Sequence, residues 1–250
     1  IFVMLLGVMD WRLLWIVAAV ISVAGIPILQ RLLRKERTPQ SMANENPSLG
    51  MEGRYWKRFD ALRHPLFWCM VPTVLGPSAF NTAFFFHQVH FAELKQITHI
   101  ALVAQFPLYT AVSVGAMLLS GWGLDKIGTP RLLPFIQVPM IAAFIIFALA
   151  QSTLMITLGF IMLGITAGAG ATLPGAFWAE FYGTKFIGSI KALATAVMVL
   201  GSAIGPGITG VMIDYGMGLE TQFYWIAGYF AVATIVLWIG VRTYAPSLKG

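Results

Sequence analysis

The sequence predicts an all-α polytopic membrane protein, a helical bundle of seven complete spans plus a partial one. Hydrophobic residues make up 58% of the 250 residues and charged residues only 10%, whereas a soluble domain has roughly a quarter charged residues. The apolar residues form segments of about twenty, the length that crosses ~30 Å of hydrocarbon as a helix. Lysines and arginines concentrate on one side of the resulting topology. The bilayer is therefore the expected solvent.

The apolar segments follow one another with short connections, as in helical bundles. Residues 1–9 are apolar but too short to span, so we expect them to be the tail of a helix. Because Ile1 is not a start methionine, the chain is expected to be a fragment of a larger protein. Complete spans are predicted at 13–30, 65–88, 98–121, 132–150, 153–178, 189–213 and 222–243.

A long polar stretch, residues 31–64, separates the first complete span from the other six. Residues 38–53 are rich in Pro, Ser, Asn and Gly and are expected to form a flexible linker. Residues 54–59 alternate basic and aromatic side chains, which favours a short helix in the lipid headgroup layer over nucleic-acid binding. The predicted regions are 1–30, the linker 31–64, a six-helix bundle at 65–243, and a tail at 244–250.

The positive charges predict the orientation. Fourteen of the 16 lysines and arginines fall on one side of the alternating topology, and only Arg12 and Lys95 fall on the other. Because positively charged loops stay in the cytoplasm, the linker and the tail are predicted to be cytoplasmic. We expect a multi-pass protein of the cell inner (plasma) membrane, in contact with the lipid bilayer and not with nucleic acid.

Residues 121–131 form a charged segment between two apolar spans. Asp125, Lys126 and Arg131 lie there, with Gly121 and Gly128 on either side of the acid. Glycine allows a sharp turn, and an aspartate at a turn can face a helix N-terminus or pair with a basic side chain. The segment is expected to be a short charged turn that gates the cytoplasmic ends of the helices. A solvated loop whose charges only set the topology is an equally good interpretation.

The spacing of these glycines around Asp125 resembles the cytoplasmic-loop signature of the major facilitator superfamily. That signature follows the second helix and again the eighth, and two spans after the linker precede it here. The resemblance implies that residues 65–243 are the carboxyl-terminal half of a twelve-helix fold and 13–30 its sixth helix. The sequence departs from the signature where Thr129 and Pro130 stand before the basic residue.

Gly201, Gly205 and Pro206 have a spacing that favours close helix packing and a bend. They resemble the glycine- and proline-containing helix that rocks against its neighbours in the same superfamily. Glu180 follows the span at 153–178, and we expect it to pair with Arg131 or Lys185 as part of the gate. A solvated carboxylate is a nearly equal alternative.

Polar side chains inside spans are the candidates for substrate binding, because polar groups are costly in lipid and usually face the interior. Their helical spacing selects Asn81, Gln88, Gln105, Tyr109 and Ser202. Asn81, Tyr109 and Ser202 lie closest to the midplane, where transporter sites are expected.

Three histidines, His87, His90 and His99, lie near one predicted outer loop. They could take part in proton coupling or simply anchor the helices at the interface. Their spacing matches no metal motif, and Cys69 is the only cysteine. No metal and no cofactor is expected.

Residues 61–68, 84–88 and 178–183 resemble the bacterial monocarboxylate or oxalate:formate antiporter-like branch of the superfamily. The implied function is secondary active transport of a small solute, such as a monocarboxylate or another small organic anion, by alternating access in a protein that is monomeric at full length. The branch also implies a cation within the eighth or eleventh helix. The span at 98–121 has none, and Lys191 lies near the mouth of 189–213. The sequence therefore leaves the charge of the substrate open.

Two alternatives remain beside an anion symporter or antiporter. One is efflux of drug-like or neutral solutes by the same fold, and the other is a membrane receptor or sensor. An enzyme is not expected, because the spans contain no paired carboxylates at depth. The sequence has no ATP-binding loop motif, so a pump driven by ATP is not indicated.

Overall fold

A computed structural model of the chain describes residues 10–33 and 47–249, and all regular structure in these residues is helical. Seven helical segments there are long and apolar enough to cross a membrane, which confirms the predicted fold class and number of complete spans. The predicted partial helix at 1–9 and residues 34–46 of the predicted linker lie outside the described residues. The chain divides into two compact units, Ile1–Pro47 and Ser48–Gly250.

The first unit contains one long helix, α1 (Trp11–Leu33). It begins after Asp10, whose carbonyl accepts the N–H groups of Leu13 and Leu14 at 3.0 and 3.2 Å. Large apolar side chains cover its surface, and Trp15 and Ile21 are 63% and 67% exposed. Such a surface needs hydrocarbon or protein around it.

The second unit contains the remaining helices, whose starts follow from local chemistry. His64 Nδ1 accepts the N–H of Leu66 at 3.3 Å in front of Pro65, and Ser152 Oγ accepts the N–H of Met155 at 3.4 Å. In chain order the helices are α2 (Arg58–Arg63), α3 (Pro65–Phe86), α4 (Gln88–Leu94), α5 (His99–Val103), α6 (Phe106–Ile127), α7 (Thr129–Leu132), α8 (Val138–Leu149), α9 (Thr153–Tyr182), α10 (Ile187–Asp214) and α11 (Leu219–Tyr244).

The charged segment at 121–131 differs from the prediction of a short turn. Helix α6 continues through Gly121, Asp125 and Lys126 to Ile127, and the turn is confined to Gly128, whose φ is +86°. A glycine inside a helix costs only ~1 kcal/mol, which is too little to end a helix of this length. The positive φ at Gly128 is the change of direction that favours glycine.

Prolines account for the other shifted boundaries. The segment predicted as one span at 98–121 is interrupted before Pro107, at the start of α6. The span predicted at 132–150 begins earlier, with α7 and a 3₁₀ turn at Leu133–Phe135, before α8. Pro130 and Pro134 lie in the first turns of these short elements. Proline lacks the N–H that would continue a regular helix across them.

Two helix pairs dominate the packing of the second unit: α3 packs along α10, and α6 packs along α9. Helix α8 lies against both α9 and α11, and α11 also contacts α3. Glycines make the two pairs close. A Cβ on Gly201 would lie 2.7 Å from the carbonyl oxygen of Leu75, and one on Gly164 would lie 2.9 Å from that of Tyr109. Small residues thus let backbones touch, as is common in lipid.

The segment of residues 48–57, called the strap below, packs on the end of α9. The N–H of Thr184 donates to the carbonyl of Ser48 at 3.1 Å, and the N–H of Ser48 donates to Thr184 Oγ1 at 2.9 Å. Trp56 is only 2% exposed and lies against the rings of His64 and Tyr182. The expectation of a flexible linker is therefore wrong for residues 48–53, because a buried tryptophan anchors this polar stretch.

Candidate functional site

A cavity of about 560 Å³ lies among α3, α8, α9 and α10. Small residues create the space: Gly170 and Ala171 line it from α9, and a Cβ on Gly170 would meet open space. Pro77 of α3 and Pro174 of α9 also line the wall. The cavity therefore lies where α9 has small side chains and where a proline interrupts the backbone hydrogen bonds of both α3 and α9.

Three polar side chains on the cavity wall have buried atoms without a hydrogen-bond partner. They are Thr73 Oγ1, Asn81 Oδ1 and Gln137 Oε1. Gln137 is 1% exposed, and its Nε2 donates to the carbonyl of Thr73 at 2.7 Å, which fixes the amide in place. Because buried polar atoms are nearly always hydrogen-bonded, three unpartnered atoms around one cavity indicate that it receives water or a polar ligand.

Lys191 is the one charged side chain among the described residues that line this cavity. It comes from the first turns of α10, opposite Gly175 of α9, where a Cβ would lie 3.9 Å from Nζ. Trp178 borders the cavity on the same side. The Lys191 side chain is exposed, so its ammonium group can attract an anion that enters the cavity.

The sequence places Lys191 near the mouth of its span, and the structure agrees, since the side chain is exposed in the first turns of α10. The position of a residue along one helix does not show that a neighbouring helix leaves a cavity beside it. A signal for this space is the pair Gly170 and Gly175 in α9, which line the cavity, whereas Gly164 and Gly168 pack against the backbone of α6.

Asn81 is the only one of the predicted substrate residues that lines the cavity. Tyr109 lies behind it, with its phenol beside the Asn81 side chain and its ring packed against Phe85 and Phe160. Gln105 accepts a hydrogen bond from Thr157 Oγ1 at 2.9 Å and joins the ends of α6 and α9.

The last two predicted substrate residues also lie elsewhere. Gln88 starts α4, and its Oε1 is buried without a partner, away from the cavity. Ser202 Oγ donates to the carbonyl of Val199 within its own helix at 2.9 Å.

The predicted gate residues lie together at one end of the second unit but form no ion pair. Asp125, Lys126 and Arg131 are exposed, and so is Glu180. Within the described residues, the ion pairs are Arg54–Glu52 and Lys95–Glu220. The expected pairing of Glu180 with Arg131 or Lys185 is therefore not made. Glu180 instead lines a groove beside Ser48 and Gly50 of the strap.

The predicted packing residues of α10 meet the backbone of α3. A Cβ on Gly205 would collide with the backbone of Ala79. The carbonyl of Pro206 accepts a hydrogen bond from His87 Nε2 at 3.1 Å, and Gly210 leaves room for that imidazole. His87 thus ties the end of α3 to α10 at Pro206, where the proline interrupts the backbone hydrogen bonds of α10.

The family model for the Major Facilitator Superfamily matches residues 1–162. The chain belongs to this superfamily. Superfamily members are membrane transporters, and the seven apolar spans agree with a multi-pass membrane transporter. No curated protein matches the chain.

The superfamily match covers one part of the candidate site and ends before another. It includes Asn81 and Gln137 of the cavity and the charged segment at 121–131. Lys191 and the packing residues Gly201 and Gly205 lie beyond residue 162. The match therefore covers only the first part of the cavity wall, and Lys191 lies in the part that follows it.

Proposed function

We propose that this superfamily member is a secondary active transporter of a small organic anion, with a monocarboxylate as the first candidate. The observation that carries the proposal is Lys191 on the wall of a cavity whose described lining residues include no carboxylate. The resemblance of residues 61–68, 84–88 and 178–183 to the monocarboxylate or oxalate:formate branch supports the same substrate class.

Charge complementarity is the physical basis of the proposal. A carboxylate beside Lys191 would form a charge-assisted hydrogen bond, which contributes about 1.5–3 kcal/mol. Thr73 Oγ1 could donate a further hydrogen bond, and the amides of Asn81 and Gln137 could orient the rest of the solute. The unpartnered atoms of these three side chains would then gain partners when substrate binds.

The cavity volume suits a small solute with part of its hydration water. Ligand pockets typically measure about 300–1,000 Å³, and this one measures about 560 Å³. Its wall is open on one side, so we infer that a second helical bundle completes the site, as in the twelve-helix fold of the superfamily. Alternating access would then arise from rocking of the two bundles around the site.

The gate of this transporter is proposed at residues 121–131, with Glu180 in the last turn of α9. Fourteen of 16 basic residues predict that this end is cytoplasmic, in the cell inner membrane. The ion pairs expected here would form in a conformation other than the one described. Asp125→Asn is expected to lower uptake without changing membrane insertion. Uptake equal to that of the native protein would contradict the gate assignment.

Transport by the full-length protein in liposomes tests the substrate class. The panel contains formate, acetate, lactate and oxalate, each beside its neutral amide. We expect uptake of a carboxylate over its amide, with the apparent affinity lowered roughly 10- to 100-fold by Lys191→Gln. Lys57→Gln removes the same charge from an exposed position outside the cavity and serves as the matched control.

Two outcomes would favour a different function. Transport of neutral or drug-like solutes, unaffected by Lys191→Gln, would favour the efflux alternative. Specific binding of a solute without any flux would favour a receptor or sensor. Whether a proton accompanies the solute is tested by the same uptake with and without an imposed pH gradient.

A further inference from the structure

A second cavity, about 270 Å³ in volume, lies on the outer surface of the bundle between α7 and the end of α11. Its wall contains Arg131, Phe135, Trp238 and Arg242, with Pro130 and Pro134 beneath. It shares no residue with the cavity that holds Lys191. We call it the arginine groove.

The arginine groove has an unbalanced charge. Arg131 and Arg242 both line it, and its lining residues in the described part of the chain include no carboxylate. Neither guanidinium takes part in an ion pair within the described part of the chain. The guanidinium of Arg242 lies 5.2 Å from the centroid of the Trp238 ring, which holds it over the groove. Two guanidinium groups without an acid form a site for a phosphate, because their planar donors match its oxygens.

An apolar track leads away from the arginine groove along α11. Val232, Ile235 and Ile239 are 62%, 56% and 53% exposed, and their spacing continues to Arg242 on the same helix face. Phe135 and Trp238, at the end of the track, are 61% and 41% exposed. Aromatic side chains at this position are typical of the membrane interface. The track has the composition that an acyl chain contacts.

We propose that the arginine groove binds the phosphate headgroup of an anionic phospholipid, with an acyl chain along the exposed face of α11. Basic pockets between membrane helices bind anionic headgroups in this way. The lipid would supply the anionic partner that Arg131 lacks among the described side chains. It would also hold α7 to α11 at the end of the bundle that contains the proposed gate. The proposal does not depend on which solute is transported.

Native mass spectrometry of the full-length transporter in neutral detergent tests this site. The probes are phosphatidylglycerol, phosphatidylcholine with the same acyl chains, and glycerol 3-phosphate. Arg131→Gln with Arg242→Gln is expected to weaken phosphatidylglycerol binding about 30-fold, from ~1 kcal/mol per arginine. Arg58→Gln with Arg63→Gln removes two exposed arginines of α2 outside the groove and is expected to change binding less than about threefold.

A charge-retaining variant separates binding from folding. Arg131→Lys with Arg242→Lys keeps both charges and is expected to bind phosphatidylglycerol within about tenfold of the native affinity. Equal loss in the groove variant and the α2 variant would mean diffuse surface charge and overturn the site. Displacement of the lipid by glycerol 3-phosphate would assign the groove to a free phosphate compound and overturn the lipid assignment. Undiminished phosphatidylglycerol binding by the double Gln variant would also overturn it.

Discussion

The two ends of the second unit are built differently. At one end, seven phenylalanines pack into a closed aromatic cluster: Phe84, Phe91, Phe144, Phe147, Phe160, Phe223 and Phe230. Toward the other end, the helices line a cavity of about 560 Å³, open on one side, with unpartnered polar atoms and Lys191 on its wall. We propose that the aromatic cluster acts as a seal and the cavity as the binding chamber.

The same helical bundle contains one densely packed region and one cavity. At the aromatic end, side chains fill the space, and Phe147 stacks on Phe84 with ring centroids 4.7 Å apart. Lys95 adds a polar tie there, since its Nζ contacts both the Glu220 carboxylate and the carbonyl of Ala148. Beside the cavity, Gly170 and Gly175 of α9 leave space, although Phe177 and Phe181 of the same helix are fully buried. In the proposed transporter, the aromatic cluster would close one side of the site.

The largest expected effect on the free energy of unfolding comes from removing one ring of the aromatic cluster. Phe147 is fully buried, and its ring fills the space above Gly159. Phe147→Ala is expected to lower the free energy of unfolding by about 3–5 kcal/mol, because it leaves a void in the aromatic cluster. Unfolding in mild detergent, titrated with a denaturing detergent, measures this loss. Phe135→Ala, at a 61% exposed position, should change it by less than about 1 kcal/mol. Equal losses of unfolding free energy in the two variants would contradict the tight packing of the aromatic cluster.

A smaller effect on the free energy of unfolding is expected at the backbone contact between α10 and α3. Gly205 faces the backbone of Ala79, whereas a Cβ on Gly207 in the same helix would meet open space. Gly205→Ala is expected to cost about 1–3 kcal/mol by forcing α10 away from α3. Gly207→Ala should be neutral or stabilising by up to ~1 kcal/mol, since alanine favours a helix. Thermal unfolding of the two variants measures the contrast, and equal melting temperatures would contradict this packing.

The smallest predicted effect concerns the strap. Burial lowers the pKa of His64, with Glu52 raising it and Arg54 lowering it to lesser extents. The neutral ring accepts the N–H of Leu66 and packs against Trp56, so folding favours the uncharged form. The stabilisation of the folded strap by neutral His64 is complete above the pKa of about 6.5 that histidine has in the unfolded chain. It is lost as the pH falls below that value and the imidazole becomes protonated.

Hydrogen exchange of the strap measures this pH dependence. We expect residues 48–57 to exchange faster at pH 5.5 than at pH 7.5, after correction for intrinsic rates. His64→Asn retains a side-chain acceptor without the titration and should remove most of the pH dependence. Unchanged dependence in that variant would assign it to another group.

Composition and apolar length predict the membrane bundle and its seven complete spans, because both reflect the energetics of helices in lipid. The sequence also selected Asn81, which lines the cavity, and the glycines of α10, which pack against the backbone of α3. It misplaced the turn at 121–131, since a glycine costs a helix too little to end it. It placed Lys191 near the mouth of its span, as the structure does, but it did not predict the cavity beside it, because that space is left by Gly170 and Gly175 of a different helix. The strap was missed because one buried tryptophan outweighs a polar composition.

The central claim is that the charge of Lys191 selects an anionic substrate. Its most direct test is chemical rescue of Lys191→Cys in a cysteine-free background, with the carboxylate that the native transporter takes up. We predict that the unmodified variant transports it poorly, that an aminoethyl methanethiosulfonate adduct restores uptake, and that a sulfonatoethyl adduct of similar size does not. A mass shift confirms each adduct. Full uptake by the unmodified variant, or equal recovery with the sulfonate, would contradict the claim.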